Sequence, residues 1–254
     1  MEKQKLLTPE RSFGLTANAL RLLALTFMLL DHMWATVVTG NTWMTCVGRM
    51  AFPIFAFQIS EGFLHTSDFR RYAGRLLIFA LVSEIPFNYM IIGSPVFPFH
   101  QNVMFTLLLG LMAIRSIDRA RAQGGTGAAL RSVGITLLCV LAGTLGFVDY
   151  GGAGVATVVL FYLCRGFRGA WLCQLAGMIL LNCYVITGMD LPLTLFGREF
   201  FFPQQGFAVF ALVFIWLYNG RRGIRSRALQ YAAYAFYPVH MAVLYLILKV
   251  QSWR

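Results

Sequence analysis

A chain of 254 residues with 58% hydrophobic and only 12% charged residues, and a mean hydropathy of +0.67, is too apolar for a water-soluble domain. Soluble domains carry about twice that charged fraction. The composition therefore indicates an integral membrane protein, and no polar stretch is long enough for a separate soluble domain, so residues 1–254 read as one membrane domain. The net charge of +11 would suit nucleic acid, but membrane proteins gather Lys and Arg in cytoplasmic loops, and no nucleic-acid partner is expected.

Residues 1–13 are polar and mildly basic, with no small-residue cleavage site after them, and read as retained. A span needs about 20 mostly apolar residues. On that measure the chain offers about nine: 18–38, 46–64, 73–92, 103–117, 130–148, 153–164, 170–187, 204–218 and 232–250. The expected fold is an all-α polytopic transmembrane bundle without an internal repeat. Most of the 21 basic residues fall in alternate connections, including Lys3, Lys5 and Arg11, then Arg165 and Arg168, then Arg221, Arg222, Arg225 and Arg227. That alternation puts the N-terminus in the cytoplasm.

The first span carries Arg21, Asp31 and His32. Ionisable groups at membrane depth are costly and persist mainly where they line a cavity or a polar path. Arg21 and His32 are eleven residues apart, roughly three helical turns, and so share one stripe. With the topology above, Asp31, His32, Arg49, Glu84, Asn88, His100, Gln101, Asn102, Asp149, Tyr237 and His240 all fall toward the outer half of the bundle, which suggests a polar chamber there. Pro53, Pro86 and Pro238 each interrupt a span and would free a carbonyl four residues earlier. Glu61 and His65 have the i, i+4 spacing of some metal ligands, but a helix-end ion pair is the simpler reading and no metal is expected. Four of the five cysteines, Cys139, Cys164, Cys173 and Cys183, lie in apolar runs and read as small buried hydrophobes without a disulfide framework.

The blocks Leu30-Asp31-His32, Gly48-Arg49-Met50-Ala51-Phe52-Pro53-Ile54-Phe55-Ala56-Phe57, Ser60-Glu61-Gly62-Phe63 and Ser83-Glu84-Ile85-Pro86-Phe87 resemble the TraX family. So do His100-Gln101-Asn102-Val103-Met104-Phe105-Thr106 and Tyr237-Pro238-Val239-His240. The family is known for N-terminal acetylation of conjugative pilin. A more distant resemblance is to the acyltransferase family 3 enzymes, through the spacing of Arg21 and His32 and through Arg70, Arg71 and Arg75. Glu61 is an insertion relative to their Ser-Gly-Phe motif.

The resemblance implies acetyl-CoA, or another acyl-CoA, supplied from the cytoplasm, with Arg70, Arg71 and Arg75 on its phosphates. It implies an acceptor approaching from the outer side of the bacterial cytoplasmic membrane: a small molecule, a glycan, a peptide or a membrane lipid. The residues fit that chemistry. His32 would be the general base, with Asp31 or Glu84 fixing its tautomer and Arg21 on the same stripe. Arg49, Asn102 or Tyr237 would stabilise the oxyanion, and His100, Gln101 and His240 would line the acceptor site. Transfer through an acyl-histidine is a second route. A proton-coupled transporter or a scaffold would also bury such groups.

Overall fold

The computed structural model describes residues 7–186, 188–195, 197–224 and 226–252. Lys3, Lys5 and Arg225, three of the residues on which the charge alternation rests, lie outside them. The first helix, α1 (Ala17–Ala35), starts where the Thr16 hydroxyl accepts from the Ala19 N–H. Then follow α2 (Thr42–Gly48), α3 (Ala51–His65), α4 (Phe69–Ile92) and α5 (Val103–Gln123). After a two-residue turn come α6 (Thr126–Leu145), α7 (Gly151–Leu163) and α8 (Ala170–Leu180), which continues as a π-helical turn, Leu181–Val185. A hairpin of β1 (Asp190–Leu195) and β2 (Arg198–Pro203) leads into a 3-10 helix at Gln204–Phe210, then α9 (Ala211–Trp216) and α10 (Arg227–Ser252).

The helices sort by composition into wall and interior. Three are long and apolar enough to cross a membrane: α4, α6 and α10. Their outward faces show Leu77, Ile78 and Leu81, then Leu137, Leu138 and Leu141, then Val243, Leu246 and Ile247, all exposed. Such bare apolar bands are the surface that lipid covers. The chain is a membrane protein. At the centre lies the shorter α3, with most of its side chains buried, packed against α1, α5, α7 and α9. The last helix, α10, returns to pack on α1 and α4.

Helix crossings are close where residues are small, as membrane bundles require in the absence of a strong hydrophobic drive between helices. At Gly110 of α5 an added Cβ would sit 2.7 Å from Val158 of α7.

Several expectations need correcting. The expected span 46–64 is two helices, broken at Arg49–Met50, and Pro53 stands in the first turn of α3. A proline there costs nothing, because first-turn N–H groups have no intrahelical partner, so Pro53 does not interrupt a span as Pro86 and Pro238 do. The third expected span, α4, starts at Phe69 rather than 73, capped by Asp68, which places Arg70 and Arg71 on the helix. The all-α class is amended by the hairpin, which was read as loop. Cys164 and Cys173 are disulfide-bonded: the turn between α7 and α8 brings their Cα atoms to 5.8 Å.

The crossing at Gly110 gives a stability test. Gly110→Ala should cost about 1–3 kcal/mol by forcing α5 from α7, read as a lower thermal midpoint in detergent. Gly134→Ala, which meets open space on α6, should leave the midpoint unchanged or slightly raised.

Candidate active site

The end of the bundle that carries Asp31 and His32 is built around an ion pair. Arg49, at the break between α2 and α3, donates from Nη2 to both oxygens of Asp31, at 2.6 and 2.5 Å. The Thr45 hydroxyl donates to Asp31 Oδ1 at 2.6 Å, and Gln204 Nε2 donates to Thr45 Oγ1 at 2.7 Å. Gln205 accepts from Arg49 Nη1 at 3.4 Å and donates to Asn182 Oδ1, in the π-helical turn, at 2.9 Å. Gly48 permits this approach, since a Cβ there would lie 2.4 Å from the Asp31 Cβ. Thr45, Asn182, Gln204 and Gln205 are buried. Sequence reasoning did not name them. The signal available was three amides in otherwise apolar stretches, which must be satisfied when buried.

His32, the next residue on α1, faces the last helix. Its Nδ1 lies 2.7 Å from Nε2 of His240, and the two rings are nearly coplanar, at 7°. His240 Nδ1 lies 2.8 Å from the Phe236 carbonyl. A carbonyl only accepts, so His240 Nδ1 carries the proton and its Nε2 is an acceptor in the neutral ring. His32 Nδ1–H therefore donates to His240, which leaves His32 Nε2 with a free lone pair. The tautomer is fixed by His240, and neither Asp31 nor Glu84 is a hydrogen-bond partner of His32 among the described residues.

Glu84 does something else. Its Oε2 accepts from Asn102 Nδ2 at 2.5 Å, and its Oε1 from Asn88 at 3.4 Å. Asn102 also donates to the Ala80 carbonyl at 2.8 Å and caps α5 by accepting from the Met104 N–H at 3.0 Å. With its amide used in full, Asn102 is no oxyanion donor. Gln101 ties two loops together, through its N–H to the Phe147 carbonyl and its carbonyl to the Asp149 N–H, both at 2.8 Å. Its side chain donates to the Phe97 carbonyl at 3.3 Å, so it belongs to the loop framework. The Thr106 hydroxyl donates to the Asp149 carbonyl. Beside Asp149, Tyr150 holds the left-handed backbone at φ +62° and stacks on Phe52 at 4.0 Å. A left-handed tyrosine is strained, and such strain gathers at functional sites.

A cavity of about 100 Å³ runs along the inner side of α1. Arg21, Leu25 and Met28 line it from one wall, with Tyr72, Leu107 and Tyr237 among the others. Met28 and Tyr237 stand one turn before His32 and His240 respectively. Tyr237 packs 5.8 Å from the His240 ring. The rest of the wall is mostly apolar, with Gln58 and Gln230 as its further polar side chains.

The arginine triplet is divided. Arg71 pairs with Asp68 at 3.6 Å, and Arg75 lies over the Tyr72 ring at 5.8 Å. Arg70 faces a separate, polar cavity. On the same side, Glu61 forms an ion pair with Arg165 at 2.8 Å and a hydrogen bond with His65 at 3.1 Å. No group of three metal-ligating side chains occurs among the described residues.

Two measurements test this geometry. Arg49→Met alone leaves the Asp31 carboxylate uncompensated and should cost about 3–5 kcal/mol, most of it recovered in Asp31→Leu/Arg49→Met; the readout is urea or thermal unfolding in detergent. His100, in the loop before α5, lies 3.6 Å from Asp149. The hydrogen bond to that carboxylate raises its pKa, against the opposing effect of burial. The bond therefore contributes stability in full below the unfolded value, about 6.5, and loses it as pH rises through the raised folded value. The thermal midpoint lost in His100→Gln should be larger at pH 6 than at pH 9.

The chain is similar to a probable fimbrial assembly protein FimC, serogroup H1, of Dichelobacter nodosus, with 29% identity over 251 residues covering 92% of this chain and 96% of that protein. No solved structure matches. The family model described as TraX protein matches residues 16–248, and the chain belongs to the TraX family.

Proposed function

We propose that the protein is a membrane-embedded acyltransferase that moves an acetyl or other acyl group from cytoplasmic acyl-CoA to an amine or hydroxyl presented from the outer side. The observation that carries this reading is the pairing of a histidine base with an interior apolar path. His32 Nε2 is free to take a proton, and the cavity from Arg21 to Tyr237 ends one turn from it. The reading takes the chain as a multi-pass bundle of the bacterial cytoplasmic membrane with its N-terminus in the cytoplasm. Charge alternation and the apolar walls of α4, α6 and α10 support it.

The thioester end of the donor enters past Arg21 and lies against Leu25 and Met28. The acceptor nitrogen or oxygen gives its proton to His32 Nε2 as it attacks the thioester carbonyl carbon. The imidazolium that forms shares its Nδ1 proton with His240, and Asp31 on the same helix offsets the charge. When the tetrahedral intermediate collapses, the carbon–sulfur bond breaks, and the proton passes from His32 to the departing thiolate. Tyr237, in the cavity wall beside His240, is the donor best placed for the oxyanion, ahead of Arg49, which Asp31 already occupies. His240 is a positioning residue. The relative's name, a fimbrial assembly protein, favours a pilin-like peptide amine as acceptor.

The test is transfer of radiolabelled acetyl from acetyl-CoA in inverted membrane vesicles to a pilin-type peptide or a hexose enclosed inside. His32→Ala should lower the rate by about 10²–10⁴ with an unchanged thermal midpoint, and His240→Gln should lower it less while altering its pH profile. Absence of labelled product from the wild-type protein, or wild-type turnover by His32→Ala, would overturn the proposal. Uptake of solute without any acyl donor would instead identify a proton-coupled transporter.

A further inference from the structure

The polar cavity that Arg70 faces has about 240 Å³ and lies where the ends of α3, α4 and α5 meet. Its wall includes Thr66, Ser67, Arg70, Arg115 and Arg119. These arginines come from two helices. Arg115 and Arg119 stand one turn apart on α5, and Arg70 stands in the first turn of α4. Arg115 is anchored. Its guanidinium lies over the Phe69 ring at 5.4 Å and pairs with Asp118 at 3.4 Å, while its Nε is buried without a hydrogen-bond partner. Among the described residues Arg70 and Arg119 have no carboxylate within ion-pair distance. The acidic residue in the wall, Asp68, is engaged by Arg71, capping α4 through the Arg71 N–H at 2.9 Å and pairing with the Arg71 side chain.

Three guanidinium groups gathered around one small cavity, two of them without a counter-charge, repel one another until an anion sits between them. The start of the 24-residue α4 adds its positive end at the same place. A phosphate dianion suits this arrangement better than a carboxylate, because three oxygens can each accept from a different guanidinium. Arg71 does not belong to the set. Neighbouring residues on a helix point about 100° apart, and Arg71 turns toward Asp68.

We propose that Arg70, Arg115 and Arg119 form a binding site for a terminal phosphate group. Two sources share that chemistry: the 3′-phosphate of the nucleotide of an acyl-CoA donor, which rests on the function proposed above, and the phosphomonoester headgroup of an anionic lipid. Basic clusters at this membrane level attract either.

The experiment uses the full-length protein in neutral detergent, titrated calorimetrically with adenosine 3′,5′-bisphosphate, and the same protein in nanodiscs with and without phosphatidic acid. Arg70→Gln and Arg119→Gln, both at exposed positions, should each weaken bisphosphate binding about tenfold, near 1.4 kcal/mol, with unchanged thermal midpoints. Arg70→Lys should keep part of the affinity, and Arg71→Gln should keep all of it. Retention of phosphatidic acid that depends on Arg119, without bisphosphate binding, would support the site and assign it to lipid. Binding of neither probe, or equal loss in Arg71→Gln and Arg119→Gln, would overturn the proposal. The two proposals fail separately. If acetyl transfer occurs while neither its donor KM nor the retention of phosphatidic acid is moved by Arg119→Gln and Arg70→Gln, this site is wrong and the enzyme stands. If bisphosphate binds through Arg119 but no transfer is seen, the reverse holds.

Discussion

The Asp31–Arg49 pair is the contact on which the His32 end of the molecule depends. A guanidinium at membrane depth is tolerable only with a carboxylate and a set of acceptors around it. Satisfying both ions has consequences for the fold. Thr45 must approach from α2, Gln204 and Gln205 from the 3-10 helix, and Asn182 from the π-helical turn, so three separate segments are drawn to one end of α1. The π-helical turn has a role in this: one extra residue per turn breaks the α-helical register at Asn182, and such turns recur at functional sites. Once Asp31 is held toward α2, the neighbouring His32 projects about 100° away, toward α10. The orientation of the histidine thus follows from the placement of the ion pair.

The same accounting explains the broken span. A continuous helix through residues 42–65 would carry Pro53 in its interior, with a missing N–H and a clash against the Arg49 carbonyl. Breaking at Arg49–Met50 moves Pro53 to a first turn, where neither penalty applies, and sets Arg49 at a bend from which it reaches both Asp31 and Gln205. Non-helical backbone at this depth is tolerable because it faces protein. Here α1, the 3-10 helix and α7 surround the break, while α4, α6 and α10 present apolar side chains outward.

The sequence made the helical bundle legible, because apolar length is a local property, and helix starts at Thr16, Asp68 and Asn102 carry ordinary capping residues. It also showed that His32, Asp31, Arg49 and His240 belong together at one end. What it could not show was who binds whom. His32 and His240 are 208 residues apart, and no pattern near either one names the other. Glu84 looked like a site carboxylate because its burial is costly, yet Asn102 and Asn88 satisfy it as a brace for the start of α5. The division of Arg70, Arg71 and Arg75 was within reach. It followed from one boundary, since starting α4 at Phe69 rather than 73 separates Arg70 from Arg71 by roughly a third of a turn. The hairpin was missed because β1 contains Pro192, and strands with proline read as loop. The disulfide was missed because a nine-residue separation of Cys164 and Cys173 around Arg165–Gly169 says nothing of how that turn folds.

Helix α1 joins the two ends of the molecule. Arg21, Leu25, Met28 and His32 recur at intervals of four, three and four residues and so share one face of α1; Arg21, Leu25 and Met28 line the interior cavity, and His32 stands one turn beyond it, about 16 Å from Arg21 along the axis. Were that face filled by packing alone, an arginine at one end would be a cost without return. A channel that begins at a cation and ends beside a neutral histidine pair suits a ligand with a charged head and an uncharged reactive tail. Two adjacent imidazoles also limit the chemistry: once His32 takes a proton, the charge opposes a second on His240, so the dyad carries one proton at a time. One proton taken from an acceptor and returned to a thiolate is the stoichiometry that direct acyl transfer requires.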